Sequence, residues 1–288
     1  MKRITLFLSL LLLLLIGVLT GCGAKESSGE SENKKRESYI DQIKKKDKIT
    51  IGIFTDKPPF GYVNEKGEND GFEIALAKRI TKDLLGDENQ VEFIPVEPAN
   101  RIPYLQSDKV DLILANMTVT DERKEAVDFT NPYLKVAIQL LVKDSSDIQS
   151  IDDLKGKKVI VTKGTTADIF FTKNYPDIEL EKYDQVTESF QALKDDRGAA
   201  YVNDNLLLFD LARETPGFKV VNEKLEDPSP IAPAVKKGNK DLETWVNEEF
   251  EKLSKEGYLL ELYDQYLKEA FGDNVKNPAD VIVEGEWK

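Results

Sequence analysis

The sequence predicts an α/β protein, and three features predict it. From Ile49 onward, β-rich runs and helix-spaced apolar residues follow one another in turn, the order that builds parallel sheets with helices on their faces. The alternation comes in two rounds, one up to about Val142 and another from Lys158. Without its first 21 residues, the 288-residue chain is long enough for one large domain or two lobes of ordinary size. No short-period repeat is visible, so a solenoid is not expected.

The chain opens on Lys2 and Arg3, an almost unbroken apolar run from Ile4 to Val18, and then Leu19-Thr20-Gly21-Cys22. A basic start, an apolar stretch and small residues at a cut site describe an export signal. A membrane span needs about 20 apolar residues, and this run falls short even with Ser9 and Gly17 counted. The last four residues resemble the bacterial lipobox, whose cysteine becomes the lipidated first residue of the mature protein. Cys22 is therefore the expected lipidation site. It is also the only cysteine, so no internal disulfide can form. Residues 23–38 hold almost nothing to bury and read as a disordered tether.

The elements follow in order. Tyr39 to Lys46 is a short lead-in helix. Ile49 to Phe54 is a strand ending in the Pro/Gly turn Asp56 to Gly61. Asn64 to Gly71 is polar and turn-like. Phe72 to Leu85 carries Ile74, Ala77, Ile80 and Leu84 at helical spacing and stops at Gly86. Val91 to Val96 is a strand, Arg101 to Gln106 a short helix and Val110 to Ala115 a buried strand. Asp121 to Ala126 is a helical turn with its acids at the N-terminus, where the dipole favours them. Val136 to Val142 is the next strand. The second round has strands at Lys158 to Thr162, Glu179 to Tyr183 and Ala199 to Val202. Its helices are Ala167 to Asn174, Glu188 to Leu193 and Asn205 to Glu214. Ile231 to Val235 is the last strand, and Asp241 to Ser254 and Leu259 to Lys268 form a helical end.

Composition narrows the chemistry. The formal charge of −13 falls to −15 once Lys2 and Arg3 are removed, which argues against nucleic acid as a partner and against docking on anionic lipid by charge alone. There is no histidine. That removes Ser-His-Asp and Cys-His catalysis and the commonest metal ligand. With Cys22 committed to lipid, Cys/His zinc sites are excluded as well, and no calcium loop of the Asp-x-Asp-x-Asp-Gly type occurs. Neither a metal nor a cofactor is expected.

The most telling segment is Ala115-Asn116-Met117-Thr118-Val119-Thr120-Asp121-Glu122-Arg123-Lys124 and its continuation Val127-Asp128-Phe129-Thr130-Asn131-Pro132-Tyr133. A buried strand ends in polar residues and opens a helix. Ligands of open α/β sheets sit beyond the carboxyl ends of strands, where free N–H groups and hydroxyls suit an anion. Arg123 can fork onto a carboxylate with two parallel hydrogen bonds. On one arginine alone, the blander account is a helix capped by Thr118 with Arg123 as a solvated charge.

The whole segment resembles the signature of bacterial extracellular solute-binding proteins for polar amino acids (family 3), the receptors of ABC importers. The resemblance runs from about Ile49 to Gly272. It includes Asp56-Lys57-Pro58-Pro59-Phe60-Gly61-Tyr62, Gly71-Phe72-Glu73-Ile74-Ala75, Asp152-Asp153-Leu154-Lys155-Gly156-Lys157, Lys163-Gly164-Thr165-Thr166-Ala167-Asp168 and Ile231-Ala232-Pro233-Ala234-Val235-Lys236-Lys237-Gly238. Ala99-Asn100-Arg101, Leu114-Ala115-Asn116 and Lys163 to Asp168 look most like the cysteine-binding lipoproteins of the family. Aspartate and glutamate binders are the next branch.

The resemblance implies a two-lobe fold of the periplasmic-binding-protein type II, each lobe a doubly wound sheet, joined by a two-stranded hinge near Tyr133–Val136 and Asp227–Ile231. The implied organisation is a signal peptide at 1–21, a tether and lead-in helix at 22–47, the first lobe at 48–134 and 231–272, the second at 135–230, and a tail at 273–288. It also implies roles. Arg123 clamps the ligand α-carboxylate with Thr118, and the backbone of Asn116 faces the α-ammonium. Asp204 pairs with that ammonium, although an Asp before an apolar run is ordinarily a helix N-cap. Thr165 and Thr166 meet the carboxylate from the second lobe; alone, Gly-Thr-Thr is usually a cap. Phe60 and Tyr62 supply an aromatic against the ligand, with core packing equally open for Tyr62. Arg101 reads the ligand side chain or pairs with an acid of the protein itself. No second unmistakable basic residue stands near Arg101, a departure from acidic-ligand receptors.

The expected function is capture of a small polar amino acid, cysteine first, with cystine, aspartate or glutamate as alternatives, for an ABC permease and ATPase. The protein is expected to be a monomer outside the cytoplasm, held to the membrane by lipid on Cys22, on the periplasmic or outer face. Two other readings stand beside it: an enzyme on the same fold resembling cyclic acid dehydratases, which would need a carboxylate acid aimed into the cleft, and an adhesin or antigenic lipoprotein.

Overall fold

The computed structural model describes residues 37–284. The export segment, Cys22 and the tether as far as residue 36 lie outside the described residues. The lead-in helix Tyr39–Lys46 is present, capped by the Ser38 hydroxyl, which accepts from the Asp41 N–H. Among the described residues, no helix is long and apolar enough to cross a membrane.

Two five-stranded sheets form two lobes. The first runs in the order Val91–Pro95, Ile49–Ile53, Leu112–Ile113, Ala234–Lys236, Val127–Phe129. Its first three strands are parallel, and Ala234–Lys236 is antiparallel to both neighbours. The second sheet repeats the pattern: Glu179–Tyr183, Lys158–Thr162, Ala200–Asp204, Ile138–Lys143, Phe218–Val220, with Ile138–Lys143 antiparallel to both neighbours. Strands covered on both faces read as unbroken apolar runs, and Val159, Ile160 and Val161 are all fully buried.

The lobes are joined by two short strands, Leu134–Val136 and Ser229–Ile231, paired antiparallel. Each leads directly into the fourth strand of the sheet it enters. This explains two places where the sequence reading and the structure differ. The strand expected at Val136 to Val142 divides at Ala137, whose N–H is taken by the Asn205 side chain. The strand expected at Ile231 to Val235 divides at Ala232-Pro233, because Pro has no N–H to give a ladder.

Other elements differ for equally local reasons. Only Leu112–Ile113 of the expected strand Val110 to Ala115 pairs regularly, because the chain must turn toward the cleft at Asn116, which sits at φ 46°. Asn64 to Gly71, read as a turn, ends in the strand Asn69–Asp70 of a small three-stranded sheet with Asp56–Lys57 and Gly61–Val63. Phe218–Val220 and Val127–Phe129 were too short to show a period. The segment after Gly272 packs back onto the hinge: the Lys135 N–H donates to the Val281 carbonyl and the Val283 N–H to the Tyr133 carbonyl, with Val281, Ile282 and Val283 buried.

The helix Phe72–Leu85 anchors the small sheet. The N–H groups of Phe72 and Glu73 donate to the carbonyls of Pro59 and Phe60. Gly71 precedes them at φ 121°, and a Cβ there would stand 2.5 Å from the Phe60 oxygen, so no other residue fits. This contact fixes the strand that carries Lys57.

Candidate functional site

The lobes face each other across a cleft at the carboxyl ends of their parallel strands. Arg101, Asn116, Thr118 and Arg123 line it from the first lobe, and Thr165, Thr166 and Asp204 from the second. Seven of the nine residues singled out from the sequence thus meet in one place. Phe54, Lys57, Pro98 and Val186 join them. The cavity left between them is only about 10 Å³, far below the roughly 300–1,000 Å³ of drug-sized pockets.

Arg123 is buried and comes from the helix Asp121–Ala126. The residue capping that helix is Thr120, not Thr118: its hydroxyl accepts from the Arg123 N–H. The guanidinium donates from Nη1 to the Thr118 carbonyl at 2.7 Å and from Nη2 to the Gly164 carbonyl of the other lobe at 2.9 Å. Arg101, also buried, is more fully engaged. Its Nε donates to the Pro98 carbonyl, its Nη1 to the carbonyls of Ala115 and Asn116, and its Nη2 to that of Gly164. Arg101 therefore braces the cleft wall through backbone, and no acid of the protein is bonded to it among the described residues.

Asn116 is held in its left-handed conformation by Glu73, whose Oε1 accepts from the Asn116 N–H at 2.6 Å and also from the Tyr133 hydroxyl. Glu73 is fully buried and its carboxyl is pushed up by that burial. Its Oε2 and the Nδ2 of Asn116 have no partner among the described residues.

On the second lobe, Thr165 caps the helix Thr166–Asn174. Its hydroxyl accepts from the Asp168 N–H and donates to the Thr162 carbonyl, which is the cap role the sequence allowed. Asp204 precedes the helix Asn205–Glu214 but its side chain makes no cap bond. It points across the cleft instead, where its Oδ2 lies 3.2 Å from the Lys57 Nζ.

Lys57 is the residue that sequence reasoning missed. It is only 3 % exposed, and besides Asp204 it donates to the Asn116 Oδ1 at 2.6 Å. The rings of Phe54 and Phe60 lie 5.6 and 5.7 Å from its nitrogen, within cation–π range. It is the second basic residue beside Arg101 that the sequence did not disclose. Burial pushes its ammonium down, against the pull of Asp204. Burial likewise lowers Arg101 to about 9, assisted by the charge of Arg123, and Arg123 to about 10. These cations are desolvated beyond what the protein's own carboxylates repay.

Phe60 and Tyr62 stand outside the lining. Phe60 is fully buried behind Lys57, 6.4 Å from the Phe271 ring. Tyr62 lies in the small sheet with the acids Asp70 and Asp210 near its hydroxyl, and burial raises its pKa. The turn that bears both is held by the helix behind it, so its side chains face core and rim.

At Gly164 the two lobes come into close contact. Its φ is +74°, and a Cβ there would lie 2.6 Å from Ala99 Cα. Its N–H is held by the Asp168 carboxylate. Gly164→Ala would add left-handed strain of about 1–2 kcal/mol and wedge the lobes apart. Ligand affinity is expected to fall about tenfold or more, with the melting point of the unliganded protein lowered by only a few degrees. Calorimetry on this variant showing undiminished affinity would mean that closure does not need this contact.

Comparison with known proteins adds four findings. The family described as bacterial extracellular solute-binding proteins, family 3, matches residues 49–269. The ABC transporter glutamine-binding protein GlnH of Bacillus subtilis is 37 % identical over 271 residues, covering 93 % of this chain and 98 % of its own. Among solved structures, the cysteine-binding protein from Campylobacter jejuni superposes with a TM-score of 0.84 at 51 % identity, over 86 % of this chain and all of its own. A solute receptor for L-cysteine from Neisseria gonorrhoeae gives 0.83 at 48 %, over 85 % and 99 %.

Proposed function

We propose that this chain, which belongs to the bacterial extracellular solute-binding proteins of family 3, is the receptor of an ABC importer and that its ligand is cysteine. The observation that carries the proposal is the composition of the cleft. One lobe offers Arg123 and Thr118 for a carboxylate, and the other offers Asp204 for an ammonium. A zwitterion buried there needs both charges paired, and neither lobe supplies both. The two cysteine receptors, at about half identity, favour cysteine over other ligands; the Bacillus subtilis relative makes glutamine the alternative.

In this reading Arg123 forks onto the α-carboxylate, with the hydroxyls of Thr118 and Thr165 and the first turn beginning at Thr166 beside it. Asp204 takes the α-ammonium. Each lobe contributes half of the contacts, so bound ligand favours the closed arrangement by hinge bending about the paired strands Leu134–Val136 and Ser229–Ile231. A permease with its ATPase then reads the closed form. Lipid on Cys22 keeps the receptor, as a monomer, near its importer on the outer side of the membrane.

A thermal-shift screen of the twenty amino acids and cystine, with and without reductant, tests the ligand. A ligand present at a hundredfold its dissociation constant stabilises the fold by about 2.7 kcal/mol. Cysteine in reductant is expected to give the largest shift. A larger shift with glutamine would overturn the assignment, and mass spectrometry of the molecule that co-purifies provides an independent check.

A further inference from the structure

We infer that the amino acid is held with an ionised side chain, as a thiolate or a carboxylate, and that Lys57 takes this second negative charge. The inference rests on the reading of the cleft as an amino-acid site and concerns the form in which the ligand binds.

Charge balance carries it. Three cations, Lys57, Arg101 and Arg123, are each no more than 4 % exposed, against two carboxylates, Asp204 and Glu73. With both carboxylates ionised, one positive charge remains uncompensated, and a zwitterion adds none. An amino acid with one further negative charge brings the site to neutrality. The protein's own pairing points the same way. Asp204 is already bonded to Lys57, so an incoming α-ammonium displaces that lysine from it. Among the described residues Lys57 then keeps as direct partners the Asn116 Oδ1 and two aromatic faces. A buried ammonium without a counter-charge is strongly disfavoured, and the ligand's side chain is the group that can supply one. The orphaned Nδ2 of Asn116 is a further donor lining the same space.

The charged groups facing Lys57 are Asp204, Glu73, Arg101 and the neighbouring Asp56, the last only half-buried and with its carboxylate taken by the Val186 N–H. Glu73 is the competitor. If the displaced lysine turned to the unpartnered Oε2 of Glu73, a neutral ligand would suffice. For cysteine the proposed step is a proton loss: the S–H bond breaks, the electron pair stays on sulfur and the proton passes to the buffer.

Calorimetry of cysteine binding, in reductant and in buffers of different ionisation heat, measures that proton. Below the ordinary thiol pKa of about 8.5, about one proton should leave per cysteine bound, and affinity should rise about tenfold per pH unit toward that value. Serine, the neutral counterpart, should bind about a hundredfold more weakly. Aspartate should bind more tightly than asparagine with no proton released. Lys57→Met should remove the proton release, and the wild-type protein alone already decides the matter if that variant fails to fold. Cysteine binding with no proton released and with serine bound equally well would overturn the inference while leaving the receptor reading intact. Tight binding of glutamine with no proton released would do the same. The absence of heat with every amino acid would overturn both.

Discussion

Arg123→Ala is expected to abolish amino-acid binding while the protein stays folded. The guanidinium sits in a desolvated cleft and is the group best placed to meet a carboxylate with two parallel hydrogen bonds. Removing it leaves a buried carboxylate without its counter-charge, at about 3–5 kcal/mol, or roughly two to four powers of ten in affinity. The fold loses much less. Among the described residues the Arg123 guanidinium bonds only to the carbonyls of Thr118 and Gly164. Both lie on the cleft wall, where water can replace it once the lobes part, so the cost should stay within about 1–3 kcal/mol. Arg123→Lys keeps the charge and loses the fork, and should fall between the two. Calorimetry paired with a thermal melt separates the effects. Wild-type affinity in a folded Arg123→Ala protein would remove this residue from the site.

What the sequence disclosed depended on how far apart the cooperating residues lie along the chain. Phe72–Leu85 matches its expected bounds to the residue because one apolar stripe and Gly86 sit within 15 positions. Lys158–Thr162 and Glu179–Tyr183 are equally clear, being short apolar or alternating runs between turns. Asn205–Glu214 follows Asp204 as expected. The paired strands at the hinge came from family resemblance, since three residues carry no period. At the far end of the chain, the expected helix Leu259 to Lys268 is interrupted by a π-turn at Tyr263–Leu267, a hydrogen-bond shift that apolar spacing does not encode.

Lys57 illustrates the limit for the site. In sequence it is a lysine in a Pro/Gly turn, where a solvated charge is the ordinary expectation. Its burial results from Gly71 meeting Phe60, from Phe72 and Glu73 donating to that turn, and from Asp204, 147 residues away, arriving from the other lobe. Glu73 is similar. A glutamate in the first turn of a helix normally faces water and favours the dipole, whereas here it supports Asn116 from within the core. Phe60 shows the opposite case: it follows the motif, but the helix behind the turn claims its ring for the core.

Asp204→Asn carries the other large effect, and the size of that effect depends on whether the cleft can open. Held closed, the substitution strands the Lys57 ammonium at 3 % exposure with a neutral partner, a penalty of about 3–5 kcal/mol. The protein can escape by parting the lobes, which returns Lys57 to water but forfeits the bonds from Arg101 and Arg123 to Gly164 and from the Val186 N–H to the Asp56 carboxylate. The fold should therefore lose less than the full penalty. The remainder appears as a shift toward the open arrangement, visible as a larger radius in small-angle scattering. Binding should be lost altogether, because the same carboxylate is proposed to hold the α-ammonium. A double-mutant cycle with Lys57→Met, read against Lys57→Met alone because that lysine is itself proposed to meet the ligand, isolates that second role. Removing both partners of the buried pair should restore stability and the closed radius, since no stranded charge remains. If the ammonium depends on Asp204, the double variant binds more weakly than Lys57→Met alone. Affinity there equal to that of Lys57→Met alone would mean that Asp204 serves only to neutralise Lys57, and the ammonium would have to be sought elsewhere on the cleft wall.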